Sequence, residues 1–163
     1  MLQIGLAMHS YVSENGRFPL PAITDGQGRP LLSWRVAILP YFGPHEAALF
    51  RRFNLTEPWD GPNNIALLRQ MPEVYMCPEV RMRQKTVYQA LIGPGTLFPG
   101  DKALRIYDIT AGTSRTVAVV EGPGPVNWTA PEEIDTGDPN YSGMRGVQHG
   151  GSSHWLNADG LVY

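Results

Sequence analysis

The N-terminal segment has the hydrophobic spacing of an amphipathic helix. Within residues 2–14, apolar side chains recur at i, i+3, i+4 and i+7, which places them on one face of a helix. That face consists of Ile4, Ala7, Met8 and Tyr11, widened by Leu2, Leu6 and Val12. Asn15-Gly16 then supplies a C-terminal stop, because glycine tolerates the left-handed backbone that ends many helices. We therefore predict a helix over residues 2–14 whose apolar face, Leu6 included, is buried.

The second half of the chain has the composition of short strands. Segments rich in Val, Leu, Ile, Tyr and Trp and bounded by Gly and Pro predict strands at 86–92, 115–121 and 153–158. Asp159-Gly160 follows the last of these, and this dipeptide between apolar residues is a strong signal for a two-residue type I′ hairpin. We predict a terminal hairpin that Asp159 and Gly160 turn and residues 161–163 close.

Between these regions the pattern is less regular. Residues 17–33 have no hydrophobic period and predict a loop, whereas residues 33–39 suit either a strand or a short helix that Pro40 ends. Pro44 at a first-turn position predicts a helix over 44–53. Asn63 or Asn64 can cap a further short helix that ends at residue 71, and residues 73–76 predict a short strand.

The order of these elements indicates the fold class. Helices come early and strands late, without a βαβ alternation, which predicts an α+β fold with a mostly antiparallel sheet. The 163 residues suffice for one substantial core, so we predict a single domain over 1–163. The 18 glycines and 15 prolines agree with long connections at 93–100 and 122–142. Loops of that length often bind ligands or are disordered.

Charge and cysteine content narrow the function classes. The formal net charge is −2, so the chain has no excess of basic residues of the kind that nucleic-acid-binding proteins use. The single cysteine, Cys77, cannot form an internal disulfide, so its thiol is expected to be buried and reduced. No run of 18 apolar residues and no signal peptide is present in residues 1–163, which we expect to form a soluble domain.

The C-terminal region carries candidate metal ligands. These residues are His149, His154, Asp159, Glu121, Asp135 and Asp138. The spacing of His149 and His154 matches neither a zinc finger nor a zincin, and the two would face opposite sides of a strand unless Gly150-Gly151 bends it. The acidic residues 132–138 could bind calcium, although they lack the spacing of an EF-hand.

Two further chemistries use the same end of the chain. Ser152, His149 and Asp159 contain the residue types of a serine hydrolase, but the Gly-x-Ser-x-Gly nucleophile elbow is missing from the sequence. The four tryptophans, Trp34, Trp59, Trp128 and Trp155, could line a glycan-binding face, although packing in a core is their commoner use.

Five stretches, in order, resemble a bacterial pilin-like family with a prepilin-type leader and a C-terminal motif of His, nine residues and Asp-Gly, a domain of unknown function. They are residues 3–11 with Gly16-Arg-Phe-Pro19, residues 33–40 (Ser-Trp-Arg-Val-Ala-Ile-Leu-Pro), Glu57-Pro-Trp-Asp60, Met76-Cys77-Pro78, and His149 with Asp159-Gly160. The resemblance covers essentially the whole chain.

The resemblance implies a type IV pilin or type II secretion pseudopilin fold, in which a long N-terminal helix packs on an antiparallel sheet and its first half crosses the inner membrane. Leader, methylation site and apolar half-helix would all precede Met1. Members often carry a cysteine shortly before the position of Gln3, which the resemblance makes the natural partner of Cys77. No catalytic activity is assigned to the family, so the motif residues His149, Asp159, Gly160 and Cys77 are expected to be structural.

The function that this implies is a non-enzymatic subunit head in cell-envelope or surface assembly or in secretion, with other pilin-like subunits or envelope components as partners. It would reach the membrane only through the upstream helix, and would require no cofactor. The alternative is a calcium- or glycan-binding module that uses the 122–142 loop. A hydrolase that uses Ser152, His149 and Asp159 is the third reading.

Overall fold

The computed structural model describes residues 1–78, 81–100, 102–139 and 154–163. Its helices are α1 (Leu2–Asn15), α2 (Trp34–Ala37), α3 (Pro44–Phe50) and α4 (Asn64–Leu67). Its strands are β1 (Ala22–Thr24), β2 (Pro30–Ser33), β3 (Lys85–Ile92), β4 (Val117–Asn127), β5 (Ile134–Asp135) and β6 (Trp155–Asn157). The predicted α+β class is confirmed. No helix in the described ranges is both long and apolar enough to span a membrane.

The main sheet has the strand order β5-β3-β4-β6. The β3–β4 and β4–β6 pairs are antiparallel, whereas the two residues of β5 pair with β3 in parallel. β1 and β2 form a separate antiparallel hairpin. The three strands predicted in the second half of the chain are therefore present, and β4 extends six residues beyond the predicted end, through the first part of the expected 122–142 loop.

Helix α1 forms as predicted, but its buried face is narrower. Gly16 ends the helix in the left-handed conformation at φ 71° and donates its N–H to Val12 O. Ile4, Ala7 and Met8 are buried in the core, whereas Leu6 is 61% exposed. The prediction that Leu6 is buried was wrong, because Leu6 and Leu2 lie on the opposite side of the helix from the core.

Two local predictions were wrong and a third was wrong in part, because short-range hydrogen bonds decide the backbone conformation. The expected loop at 17–33 contains the β1–β2 hairpin, whose turn Asp25 stabilises by accepting from the N–H groups of Gln27 and Arg29 at 2.9 Å. Residues 73–76, expected as a strand, form the 3-10 turn Glu73–Tyr75. Residues 33–39, predicted as either a strand or a short helix, contain the short helix α2, but Pro40 lies inside the following 3-10 turn, Leu39–Tyr41, rather than ending an element.

The terminal hairpin exists, but its turn is not type I′. Gly160 N–H donates to Asn157 O at 2.9 Å, and Asn157 N–H donates to Leu161 O at 3.0 Å, so three residues form the loop. Gly160 has φ 86°, and Asp159 is not among the residues with positive φ. This is a type I turn followed by a left-handed glycine, the usual three-residue hairpin loop. Asp159 Oδ1 accepts from Leu161 N–H at 3.0 Å, which fixes the turn from the side.

Candidate functional site

The predicted C-terminal site residues are only partly brought together. His149 and Ser152 lie outside the described residues. Glu121 is buried in the middle of β4 beside His154, with 3.5 Å between Glu121 Oε2 and His154 Nδ1. Asp159 lies past the other end of β6, whose three residues span about 10 Å and separate it from His154. In the described residues no three His, Cys, Asp or Glu side chains are grouped so that they could hold a metal ion.

The described part of the 122–142 segment, residues 122–139, uses its candidate ligand-binding residues mainly for packing and internal pairing. Trp128 is fully buried, donates its Nε1–H to Leu68 O at 2.9 Å and stacks on Tyr75 at 5.8 Å. It is therefore not available as a glycan platform. Trp34 is fully buried as well. Of the acidic residues 132–138, Glu133 is used internally, as its side chain is only 1% exposed and pairs with Arg35.

The Asp159-Gly160 turn packs directly on α1. A Cβ built on Gly5 would lie 2.8 Å from Gly160 O and 2.9 Å from Leu156 Cδ1, so only glycine allows this approach. A Cβ on Gly160 would lie 3.0 Å from His9 Cδ2 and would add strain at φ 86°. The close contact joins the first helix of the chain to its last hairpin, which gives the Asp-Gly motif a structural purpose.

Arg35 and Glu133 form a buried ion pair at the centre of the fold. Arg35 Nη2 lies 3.0 Å from Glu133 Oε1, and Nη1 lies 3.3 Å from Oε2. The remaining guanidinium hydrogen bonds go to backbone carbonyls of three residues, Trp128, Tyr88 and Ala130, each at 2.8 Å. With these bonds all five guanidinium N–H donors have acceptors. The pair therefore ties α2 to β3 and to the segment that follows β4.

Both oxygens of the Glu133 carboxylate also accept further hydrogen bonds. Glu133 Oε1 accepts from Ser33 Oγ at 3.0 Å, and Oε2 accepts from Ala90 N–H at 2.7 Å. Burial nevertheless raises the pKa of Glu133, and the Arg35 charge and these hydrogen bonds oppose that rise. Desolvation thus outweighs the attraction, as expected for ion pairs in protein interiors. The arrangement can hold three chain segments together, and Arg35 itself is fully buried.

Two other motifs of the sequence have equally local purposes. Glu57 Oε1 accepts from the N–H groups of Asn63 and Asn64 at 2.7 and 3.1 Å, which satisfies donors at the start of α4. Cys77 is buried. It lies close enough to the amino group of Met1 for an electrostatic interaction, although burial is the chief cause that lowers the pKa of this amino group.

An open groove lies beside α1 and was not predicted. Its volume is about 680 Å³. One wall is the face of α1 that carries Gln3, Leu6, Ala7 and Ser10, and the other comes from residues 41–49. Residues 70–74 complete the lining. Sequence reasoning missed the groove, and it missed the pairing of Arg35 with Glu133, because both depend on residues distant in the chain. Leu6, which lines the groove, belongs to the apolar helical period in the sequence, so the sequence predicted it to be buried rather than exposed.

Comparison with known proteins gives one match. No curated protein and no solved structure matches the chain. A family model described as "Protein of unknown function (DUF1559)" (SBP_bac_10) matches residues 1–101. This range includes α1, the Ser33–Pro40 and Glu57–Asp60 motifs, Cys77 and β3. Since the match covers more than half of the 163 residues, the chain belongs to the DUF1559 family.

Proposed function

We propose that this domain is the globular head of a pilin-like subunit with a non-enzymatic role in envelope or surface assembly or in secretion. The observation that carries the proposal is the two-sided character of α1. One face of the helix is buried by the core through Ile4, Ala7 and Met8, while Leu2 and Leu6 remain 55% and 61% exposed. A helix that is apolar on both sides is suited to pack on its own domain and on a neighbour at once.

The roles of the motif residues support the same proposal. Arg35 is a buried connector, Glu57 caps α4, and the Asp159-Gly160 turn packs on α1. Each of these residues stabilises the fold through contacts between segments of the chain. This pattern is typical of a structural subunit, and the family resemblance supplies the assembly in which it would serve.

The proposal can be tested with the natural gene product in its own bacterium. We expect the tagged protein in the envelope fraction, in chemically cross-linked species heavier than the monomer. Leu2→Asp should remove those species without unfolding the domain, because Leu2 is exposed and a carboxylate is favourable in the first turn of a helix. Ile65→Asp is the matched control, since Ile65 is also exposed, at 40%, but lies on α4. Equal cross-linking in wild type and Leu2→Asp would contradict the proposed interface.

A further inference from the structure

The groove beside α1 has the size and lining of a small-molecule site. Its volume of about 680 Å³ falls within the range of roughly 300–1,000 Å³ that ligand pockets occupy. Leu6, Phe42 and Met71 contribute apolar surface, and Tyr41 adds a second aromatic ring. Leu6 is 61% exposed, so this apolar surface is in contact with solvent.

Two carboxylates supply negative charge in the groove. Glu46 and Glu73 line it together with His45, and its lining includes no lysine or arginine. Neither carboxylate has a hydrogen bond or ion pair with any residue that the structure describes. Glu14 adds negative charge near the Tyr41 end, where burial first and then Glu14 raise the pKa of the Tyr41 hydroxyl. The Arg52 guanidinium, which is not part of the lining, donates a hydrogen bond to Oε1 of the lining residue Gln70.

We propose that the groove binds a small organic cation, an amine or guanidinium carried on an aliphatic or aromatic body. The apolar surface covers the body of such a ligand, the carboxylates of Glu46 and Glu73 attract its charge, and the ring of Tyr41 or Phe42 offers a cation–π contact. Gln3, Ser10 and Gln70 provide neutral hydrogen-bonding groups along the walls.

A protein segment fits the groove less well. The walls are helices and 3-10 turns, which lack the unpaired strand edge that an extended peptide needs. The face of α1 from Gln3 to Ser10 is about 10 Å long, too short for the several turns of a docked helix. A second copy of α1 would bring Glu14 as its only charged side chain, which the acidic groove repels. Leu6 belongs both to the groove and to the exposed side of α1 on which the assembly role was proposed, but the carboxylates of Glu46 and Glu73 belong to the groove alone. Substitution of these two residues in the isolated domain therefore tests the inference separately from the assembly role.

Titration followed by amide NMR shifts on the folded domain tests this site. The probes are 1,6-diaminohexane and 2-phenylethylamine, with 1,6-hexanediol and adipate as the neutral and anionic counterparts. We expect saturable shifts from the two amines, confined to residues that line the groove, and weakening as salt is raised. The diol and adipate should produce none.

Paired variants make the test specific. Glu46→Gln with Glu73→Gln should weaken amine binding roughly fivefold or more, because two partly exposed charge contacts are lost. Glu132→Gln is the matched control, since it removes one exposed carboxylate outside the groove and should leave binding unchanged. The proposal is overturned if the amines give no saturable shift up to about 10 mM, which corresponds to negligible affinity. Equal binding of the diol, or unchanged affinity in the doubly substituted chain, would overturn it as well.

Discussion

Removing either member of the buried Arg35–Glu133 pair should destabilise the domain strongly but with different pH dependence. The side chains are 0% and 1% exposed, so each substitution leaves a buried charge without its partner. Breaking such a pair typically costs about 3–5 kcal/mol. Because domains of this size are stable by roughly 5–15 kcal/mol, both Arg35→Met and Glu133→Gln should remove a large fraction of that stability.

The two variants differ in how the remaining charge can be neutralised. In Arg35→Met, Glu133 can take up a proton, since burial already raises its pKa above the ordinary carboxyl value of 4.5 and the opposing guanidinium is gone. A folded-state pKa above the unfolded value gives stability that is present at low pH and lost as pH rises through the folded pKa. In Glu133→Gln, Arg35 keeps its charge at every accessible pH.

Urea unfolding followed by tryptophan fluorescence, at pH 5 and pH 7, measures both effects, because Trp34 and Trp128 are fully buried. The deficit of Arg35→Met relative to wild type should be smaller at pH 5 than at pH 7. It should not vanish, because three backbone carbonyls lose their donor. The deficit of Glu133→Gln should change little. Losses below about 1 kcal/mol for both variants, or the same pH dependence in both, would refute the reasoning.

Three further substitutions test other parts of the fold. Gly5→Ala should lower the free energy of unfolding by about 1–3 kcal/mol, because the added Cβ would lie 2.8 Å from the hairpin turn, although alanine has the better helix propensity. Gly124→Ala, which has open space around it, is the control in the same urea assay. Leu6→Asp should change stability by less than about 0.5 kcal/mol, whereas Met8→Asp should prevent folding, as circular dichroism would show. Asp108→Asn should reduce the loss of stability at acid pH. Hydrogen bonds from Arg105 lower the pKa of Asp108 to about 2, so the ionised Asp108 stabilises the fold above pH 3.8 and this contribution is lost as pH falls towards 2. An unaltered acid limb would contradict that assignment.

The elements that the sequence predicted correctly are those with local signals. Helix α1 has a clear 3.6-residue period and a glycine stop, and β3 is a run of apolar and β-branched residues that is buried over nearly its whole length. The β1–β2 hairpin has only three to four residues in each strand, too few for a period to emerge. β5 is two residues long and pairs in parallel with β3, a contact that no local pattern encodes.

In the candidate site too, local features were predicted and contacts between distant residues were not. The sequence correctly marked Asp159-Gly160 as a hairpin turn, although it could not distinguish a two-residue from a three-residue loop. It gave no reason to join Arg35 with Glu133, 98 residues apart, because charged residues are ordinarily expected at the surface. The groove depends on which side of α1 the core covers, and Leu6 could be assigned to the exposed side only once the packing of the helix was known.

The central claim is that the exposed side of α1 packs against another subunit. Incorporating a photoreactive phenylalanine analogue at position 2 of the natural gene product, with position 65 as the control, tests it most directly, since both side chains are exposed. After irradiation of intact cells, the account predicts a specific cross-link from position 2 to another pilin-like subunit or envelope component, and none from position 65. Cross-links that are absent from position 2, or equally abundant from both positions, would contradict it.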